Sequence, residues 1–158
     1  MDVLSGLLLI NDVDVYERFG AFLAEKSEDA TTNYDSLMKI PNLKEVPEVS
    51  VREEDGVRSP AKLTPAFEAR NVTLQFAIAA ADDATFVQRY FGFITFLKEG
   101  ADGWLDIHLT DVDLRYRMRL LGASEYSQIL PFGRERVAAI FSVSLREPKP
   151  SFGASNNV

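Results

Sequence analysis

Apolar and polar residues alternate with period two through residues 71–78. Val72, Leu74, Phe76 and Ile78 share one face, and Asn71, Thr73, Gln75 and Ala77 share the other. Successive side chains of a strand point to opposite faces, so this segment predicts a half-buried strand. The period then changes. Phe86, Tyr90, Phe93, Ile94 and Leu97 fall on one face at helical spacing. Asp82 and Asp83 precede them, where a carboxylate accepts from free N–H groups and meets the positive end of a helix. Gly100 follows Lys98-Glu99 and suits a C-terminal cap. Phe91 and Phe96 widen the apolar surface beyond one stripe, so the helix has a second side to pack, within its own core or against another subunit.

Period two returns three times after the helix. Leu105, Ile107 and Leu109 alternate with Trp104, Asp106 and His108. Leu114, Tyr116, Met118 and Leu120 alternate with Arg115, Arg117 and Arg119. Val137, Ala139, Phe141, Val143 and Leu145 form one face of a longer run whose other face carries Ala138, Ile140, Ser142 and Ser144. Two fairly apolar faces predict a strand in the middle of a packed sheet. Pro148 and Pro150 end it, because Pro cannot donate to a ladder.

The first 66 residues are patterned less clearly. Residues 7–22 read as an opening strand pair, with Val13 and Val15 alternating with Asp12, Asp14 and Tyr16 until Phe19-Gly20 breaks the run. Residues 21–26 fit either a short helix or more strand. Residues 27–66 lose periodicity and hold Pro41, Pro47, Pro60 and Pro65. Val49-Ser50-Val51 is one short strand there, followed by a turn at Glu53-Glu54-Asp55-Gly56. A stretch of that length with so little regularity predicts long functional loops or arms ordered by a partner. The whole reads as a mainly β (α+β) single domain over residues 1–150: an antiparallel β-sandwich or open barrel with one flanking α-helix and a long irregular loop at 27–66. Residues 151–158 read as a flexible tail. A doubly wound parallel fold would need a helix between most strands.

Composition narrows the function. The chain has 158 residues, 46% of them hydrophobic and eleven of them Phe, which suits one folded domain and excludes a disordered chain. It has no Cys, which removes disulfides, thiolate metal sites and Cys nucleophiles. Net charge is −7, and residues 1–35 hold eight acids against Arg18 and Lys26, leaving −1 for the other 123. An acidic domain repels phosphate backbones, so no specific nucleic-acid binding is expected. Such repulsion would suit a surface past which DNA must slide. No segment approaches the length of a membrane span, and Leu7-Leu8-Leu9-Ile10 lacks the basic flank of a signal peptide.

Candidate chemistry is sparse. His108 is the single His, so no two-His metal site is available. Asp111-Val112-Asp113 begins like a calcium loop, but no Gly stands at the sixth place and no Glu closes it, so it reads as a hairpin turn. Neither a glycine-rich phosphate loop nor a Gly-x-Ser-x-Gly elbow occurs. No catalytic, cofactor-binding or metal-binding residue is assigned. The most distinctive polar feature is the row Arg115, Arg117 and Arg119, which shares one strand face. The three like charges have three readings: pairing with acids of neighbouring strands, Asp106 among them; contact with the acidic N-terminal part of an adjacent subunit; or contact with phosphates, which the acidic total opposes. Phe91, Phe96, Arg115, Arg117 and Arg119 are the candidate subunit contacts.

The run Phe67-Glu68-Ala69-Arg70-Asn71-Val72-Thr73-Leu74-Gln75-Phe76 resembles the strand before the helix in bacteriophage distal tail and tail-tube proteins. The helix from Asp83 to Leu97, the hairpin formed by 104–109 and 115–121, and the closing Val143-Ser144-Leu145-Arg146-Glu147-Pro148 are similar to the helix, hairpin and final strand of those proteins. The likeness covers residues 67–150 by element order rather than by an invariant motif. Asn11-Asp12-Val13-Asp14-Val15, then a Gly and a long loop, resembles the first half loosely. The resemblance implies a non-enzymatic, cofactor-free homo-oligomer, usually a hexameric ring around the DNA channel. Its partners would be other phage tail proteins, and it would be made in the bacterial cytoplasm and placed in the virion tail. It also implies a minimal member, with no room after residue 150 for a lectin-like appendage. Two other classes stay open. One is a carbohydrate-binding or adhesin-type β-sandwich with Trp104, Tyr116, Tyr126 and Phe132 as a stacking platform. The other is an enzyme with a carboxylate pair, which a pocket holding two close acids would favour.

Overall fold

The computed structural model describes residues 5–25 and 30–152. Its seven strands are β1 (Leu8–Ile10), β2 (Val13–Asp14), β3 (Ala21–Leu23), β4 (Arg70–Ala80), β5 (Leu105–Leu109), β6 (Leu114–Leu130) and β7 (Val137–Glu147). All pairings among them are antiparallel, in the order β2-β1-β5-β6-β7-β4-β3. The sheet is open, and the fold is mainly β with a flanking helix. That helix is α3 (Asp83–Glu99), accompanied by two shorter ones, α1 (Val15–Phe19) and α2 (Thr32–Met38).

Strand β6 organises the sheet. Its first five residues pair with β5, Leu105 opposite Met118 through Leu109 opposite Leu114. From Arg119 onward it pairs with β7 instead. The long strand thus passes from one half of the sheet to the other, with register shifts at Leu120/Gly122, Ser124/Ser127 and Gln128/Leu130. Bulges of this kind bend a strand and increase its twist. Strand β7 lies between β6 and β4, the central place its two apolar faces predict, and pairs with β4 along all eleven residues.

The two edge strands are neighbours in sequence. Only α1 and Gly20 separate β2 from β3, and a five-residue helix advances about 7.5 Å. Both margins of the sheet are therefore held near one another, and α1 packs across the seam. Asp14 caps α1 by accepting from the N–H groups of Tyr16 and Glu17. Gly20 ends it at φ 68° with its N–H donating to the Tyr16 carbonyl, a left-handed conformation Gly adopts without strain. The expected strand at Val15 is thus a helix. Val15 and Phe19 are spaced i, i+4 and both are buried, so the apolar residues that alternate locally also satisfy a helical face.

Helix α3 lies on the half-sheet formed by β4, β7 and the far part of β6. Asp82 caps its start by accepting from the Thr85 N–H at 2.7 Å. Gly100 closes its end with its N–H on the Phe96 carbonyl, and a Cβ there would stand 2.5 Å from the Trp104 carbonyl oxygen. Phe93 sits between Phe76 and Phe141, with ring centroids at 5.2 and 6.2 Å. Leu74, Phe76, Ile78, Phe93, Leu97, Leu105, Met118 and Val143 belong to one continuous core with both halves of the sheet.

Candidate assembly surface

His108, Asp111 and Asp113, singled out in the sequence, are engaged in structural contacts. His108 is half-buried, and its Nε2 lies 3.1 Å from Asp113 Oδ1. Asp111 and Asp113 fall in the turn between β5 and β6, where Asp111 accepts from the Tyr34 hydroxyl at 2.9 Å. Burial, then that carboxylate, pushes the Tyr34 hydroxyl above its ordinary pKa. Among the described residues no three His, Asp or Glu gather into a group that could hold a metal ion. A cleft of about 160 Å³ opens at the seam, lined by Leu8, Ala21, Phe22, Leu23, Leu109 and neighbouring side chains. Its carboxylates are engaged. Glu25 accepts from the N–H groups of Thr32 and Asn33, and Asp111 accepts from Tyr34. The four aromatics of a carbohydrate platform are dispersed: Tyr116 is core, Trp104 lies under Arg117, and Tyr126 and Phe132 pack on α3.

Two features missed in the sequence anchor the N-terminal region. The Arg70 guanidinium is buried beneath α2. Its Nε donates to Glu147 Oε1 at 2.6 Å, and its Nη1 donates to the carbonyls of Leu37 at 2.9 Å and Lys39 at 2.6 Å. The Tyr116 ring lies below, 5.5 Å from the guanidinium carbon, and its hydroxyl donates to the same Leu37 carbonyl. Arg70 thus satisfies carbonyls at the end of α2 that have no partner within the helix. The second feature is Asn33, buried in α2. Its side chain accepts from the Gln75 N–H at 2.6 Å and donates to the Ala24 and Gln75 carbonyls. It continues the β4 edge where β3 stops. Both hold α2 inside the stretch read as irregular.

Beyond α2, residues 42–68 form an arm. It is closed at its root by the Leu43–Phe67 bridge, with Lys44 donating to Ala66 and Glu68 to Asn42. Nearer the tip Val49 and Arg58 exchange both backbone hydrogen bonds. At the turn Arg58 pairs with Glu54, which holds the Glu54 carboxyl below its ordinary range. Apart from half-buried Val51, nearly every residue from 43 to 68 is exposed, including Leu43, Val46, Val49, Val57 and Leu63.

The candidate contact residues do not form one patch. Phe91 is exposed beside Tyr90, at 5.3 Å between centroids. Phe96 lies on another side of α3, half-covered by Phe19 at 5.2 Å and by the Arg18 guanidinium. Arg115, Arg117 and Arg119 are all exposed on β6. Arg117 lies 3.8 Å from Asp106 and 4.6 Å over the Trp104 ring. Arg115 stands opposite His108, and Arg119 stands opposite Arg146, a like charge.

A further surface was hidden in residues 121–136. The far part of β6 runs to Leu130, well beyond the alternation that ends at Leu120. Its register shifts, and Glu125 at φ 56°, break the period. Leu121, Tyr126, Ile129, Leu130 and Phe132 are exposed there. Tyr126 leans on Tyr90 and Phe132 on Phe86, at 5.3 and 5.7 Å. Burial raises the pKa of both Tyr90 and Tyr126. On the side away from β7, residues 119–130 have no strand partner among the described residues.

No family model and no curated protein matches the chain. Among solved structures the fold is similar to that of the Dit protein of phage SPP1, described as a paradigm of the hub of the adsorption apparatus in phages that infect Gram-positive bacteria. The TM-score is 0.53 at 12% sequence identity, and the match covers 90% of this chain and 50% of that one. Among the described residues no helix is long and apolar enough to cross a membrane. The chain spans about half the length of that structural neighbour, and the likeness between them is one of fold.

Proposed function

We propose that this chain is a non-enzymatic structural component of a phage or prophage tail. It assembles as a ring, hexameric by the family resemblance, of the distal tail or tube type, and other tail proteins are its further partners. One observation carries the reading: the edge of β6 from Arg119 to Leu130, which has no strand partner on the side away from β7 among the described residues and bears exposed Leu121, Tyr126, Ile129 and Leu130. An open edge with apolar side chains is a template for pairing with another chain. A repeated head-to-tail contact on that edge generates a ring if the rotation closes. The fold likeness to a phage hub protein supports the tail setting.

The test is solution mass by light scattering across concentration. Wild-type protein is expected to reach the mass of a closed ring, and a Leu121→Lys/Ile129→Lys variant is expected to stay at the single-chain mass with an unchanged thermal transition. A wild type that remains monomeric at every concentration overturns the ring.

A further inference from the structure

The arm is polarised in charge. Its outer part, residues 45–58, holds Glu45, Glu48, Glu53, Glu54 and Asp55 against Arg52 and Arg58, which leaves −3. Glu54 is paired with Arg58, but Glu45, Glu48, Glu53 and Asp55 have no hydrogen bond or ion pair from their side chains among the described residues. The sheet face near the root has the opposite sign. Arg115, Arg117, Arg119 and Arg146 lie there on adjacent strands, and only Arg117 has an acid, Asp106. Lys44 and Arg146 line the same groove at the root, together with the single acid Glu68. In a chain of net charge −7 this basic face is an exception. Directly opposed like charges on a sheet, such as Arg119 and Arg146, destabilise it unless something neutralises them.

Among the described N-terminal acids, Asp12 and Glu17 are exposed, and the other three are engaged by their own chain. Asp14 caps α1 and closes on the Gly6 N–H. Glu25 holds the start of α2, and Asp35 accepts from Thr31. The arm tip keeps four of its five acids unpaired among the described residues, and Val46, Val49 and Val57 are exposed beside them. Ten residues separate Leu43 from Glu53, and an extended chain advances about 3.3 Å per residue. Fully extended, that length spans at most roughly 30 Å, so the tip can extend beyond its own root toward an adjacent molecule.

We infer that the acidic arm tip docks on the Arg115–Arg119–Arg146 face of a second copy of this chain. The inference rests on the ring reading and names one of its contacts. Acidic tip and basic root on each molecule make the contact heterologous, so every copy offers one of each. Apolar arm residues would be covered in the same step, while the opposite charges set register and partner choice.

Two charge-reversed proteins test it, both altered only at exposed positions: Arg115→Glu/Arg119→Glu on the face, and Glu48→Lys/Glu53→Lys/Asp55→Lys on the tip. Thermal melting checks that each folds as the wild type does, and light scattering at low and high salt reads assembly. Each variant alone is expected to fall to the single-chain mass at a concentration where the wild type is assembled. An equimolar mixture is expected to regain mass above that of either variant alone, because each reversed tip now meets a reversed face. Added salt should disassemble the wild type and the mixture alike. An assembled wild type whose mass neither variant changes overturns the docking and leaves the ring standing. A mixture that stays at single-chain mass while both variants are folded also overturns it. A wild type that is monomeric at low salt removes ring and docking together.

Discussion

Between Arg70 and Glu147 two strands pair along their whole length and a capped helix lies on them, whereas residues 42–68 are held together by two isolated bridges. The first region places Phe76, Phe93 and Phe141 in one core. The second leaves Leu43, Val46, Val49, Val57 and Leu63 in solvent. Apolar burial worth about 25 cal/mol per Å² stabilises the body, and nothing comparable stabilises the arm. A single chain has little reason to keep an exposed apolar arm, so the difference points to burial against another molecule.

The two regions meet at Arg70. Removing one member of a buried pair leaves the other charge without a partner and typically costs about 3–5 kcal/mol. Arg70→Ala also frees the carbonyls of Leu37 and Lys39. It should produce the largest loss of any substitution considered, read as a lowered denaturation midpoint. If the comparison is right, proteolysis should then open residues 30–42 before the body. Asn33→Ala is the next largest. It leaves the buried Gln75 N–H without its acceptor, at a cost of about 1–3 kcal/mol. Amide exchange at Gln75 should accelerate while exchange in β7 stays slow.

These two side chains also show where sequence reasoning stopped. Strands β4, β5 and β7 and helix α3 were legible because each keeps one period over its length and is closed by Asp, Gly or Pro. Arg70 looked like the polar lead into a strand. Its task depends on carbonyls more than thirty positions away, and no local pattern records that. Helix α2 has the short run Tyr34, Leu37 and Met38, too brief for a period to show. The far part of β6 was missed for another reason. Three register shifts interrupt its alternation, and small polar residues such as Ser124 and Ser127 stand where apolar ones would mark a face. The Arg row was visible from the sequence, but its like-charged neighbour Arg146 became visible only through the β6–β7 register.

A smaller effect belongs to the body. The Thr85 N–H, then its hydroxyl, holds the Asp82 carboxyl below its ordinary pKa. A group whose folded pKa is depressed contributes stability above its unfolded value and loses it as pH falls through the folded one. The midpoint should therefore decline on acidification through the carboxylate range, and Asp82→Asn should flatten that part of the profile. An unchanged profile would mean that the cap is immaterial to α3.

Replacing residues 50–57 by a two-residue Asn-Gly turn should have the smallest effect on stability and the sharpest on function. The segment is almost wholly exposed, and its ion pair, Arg58 with Glu54, is a surface pair of the kind that contributes little. The thermal transition should barely move. Val49 and Arg58 exchange both backbone hydrogen bonds, so an Asn-Gly turn can join them as a two-residue hairpin and the root bridge at Leu43–Phe67 can persist. Assembly measured by light scattering should nevertheless fail if the arm is buried against a second copy. A large drop in stability would instead mean that the arm contributes to the fold of its own chain. The contrast between a self-sufficient body and a partner-dependent arm would then be wrong.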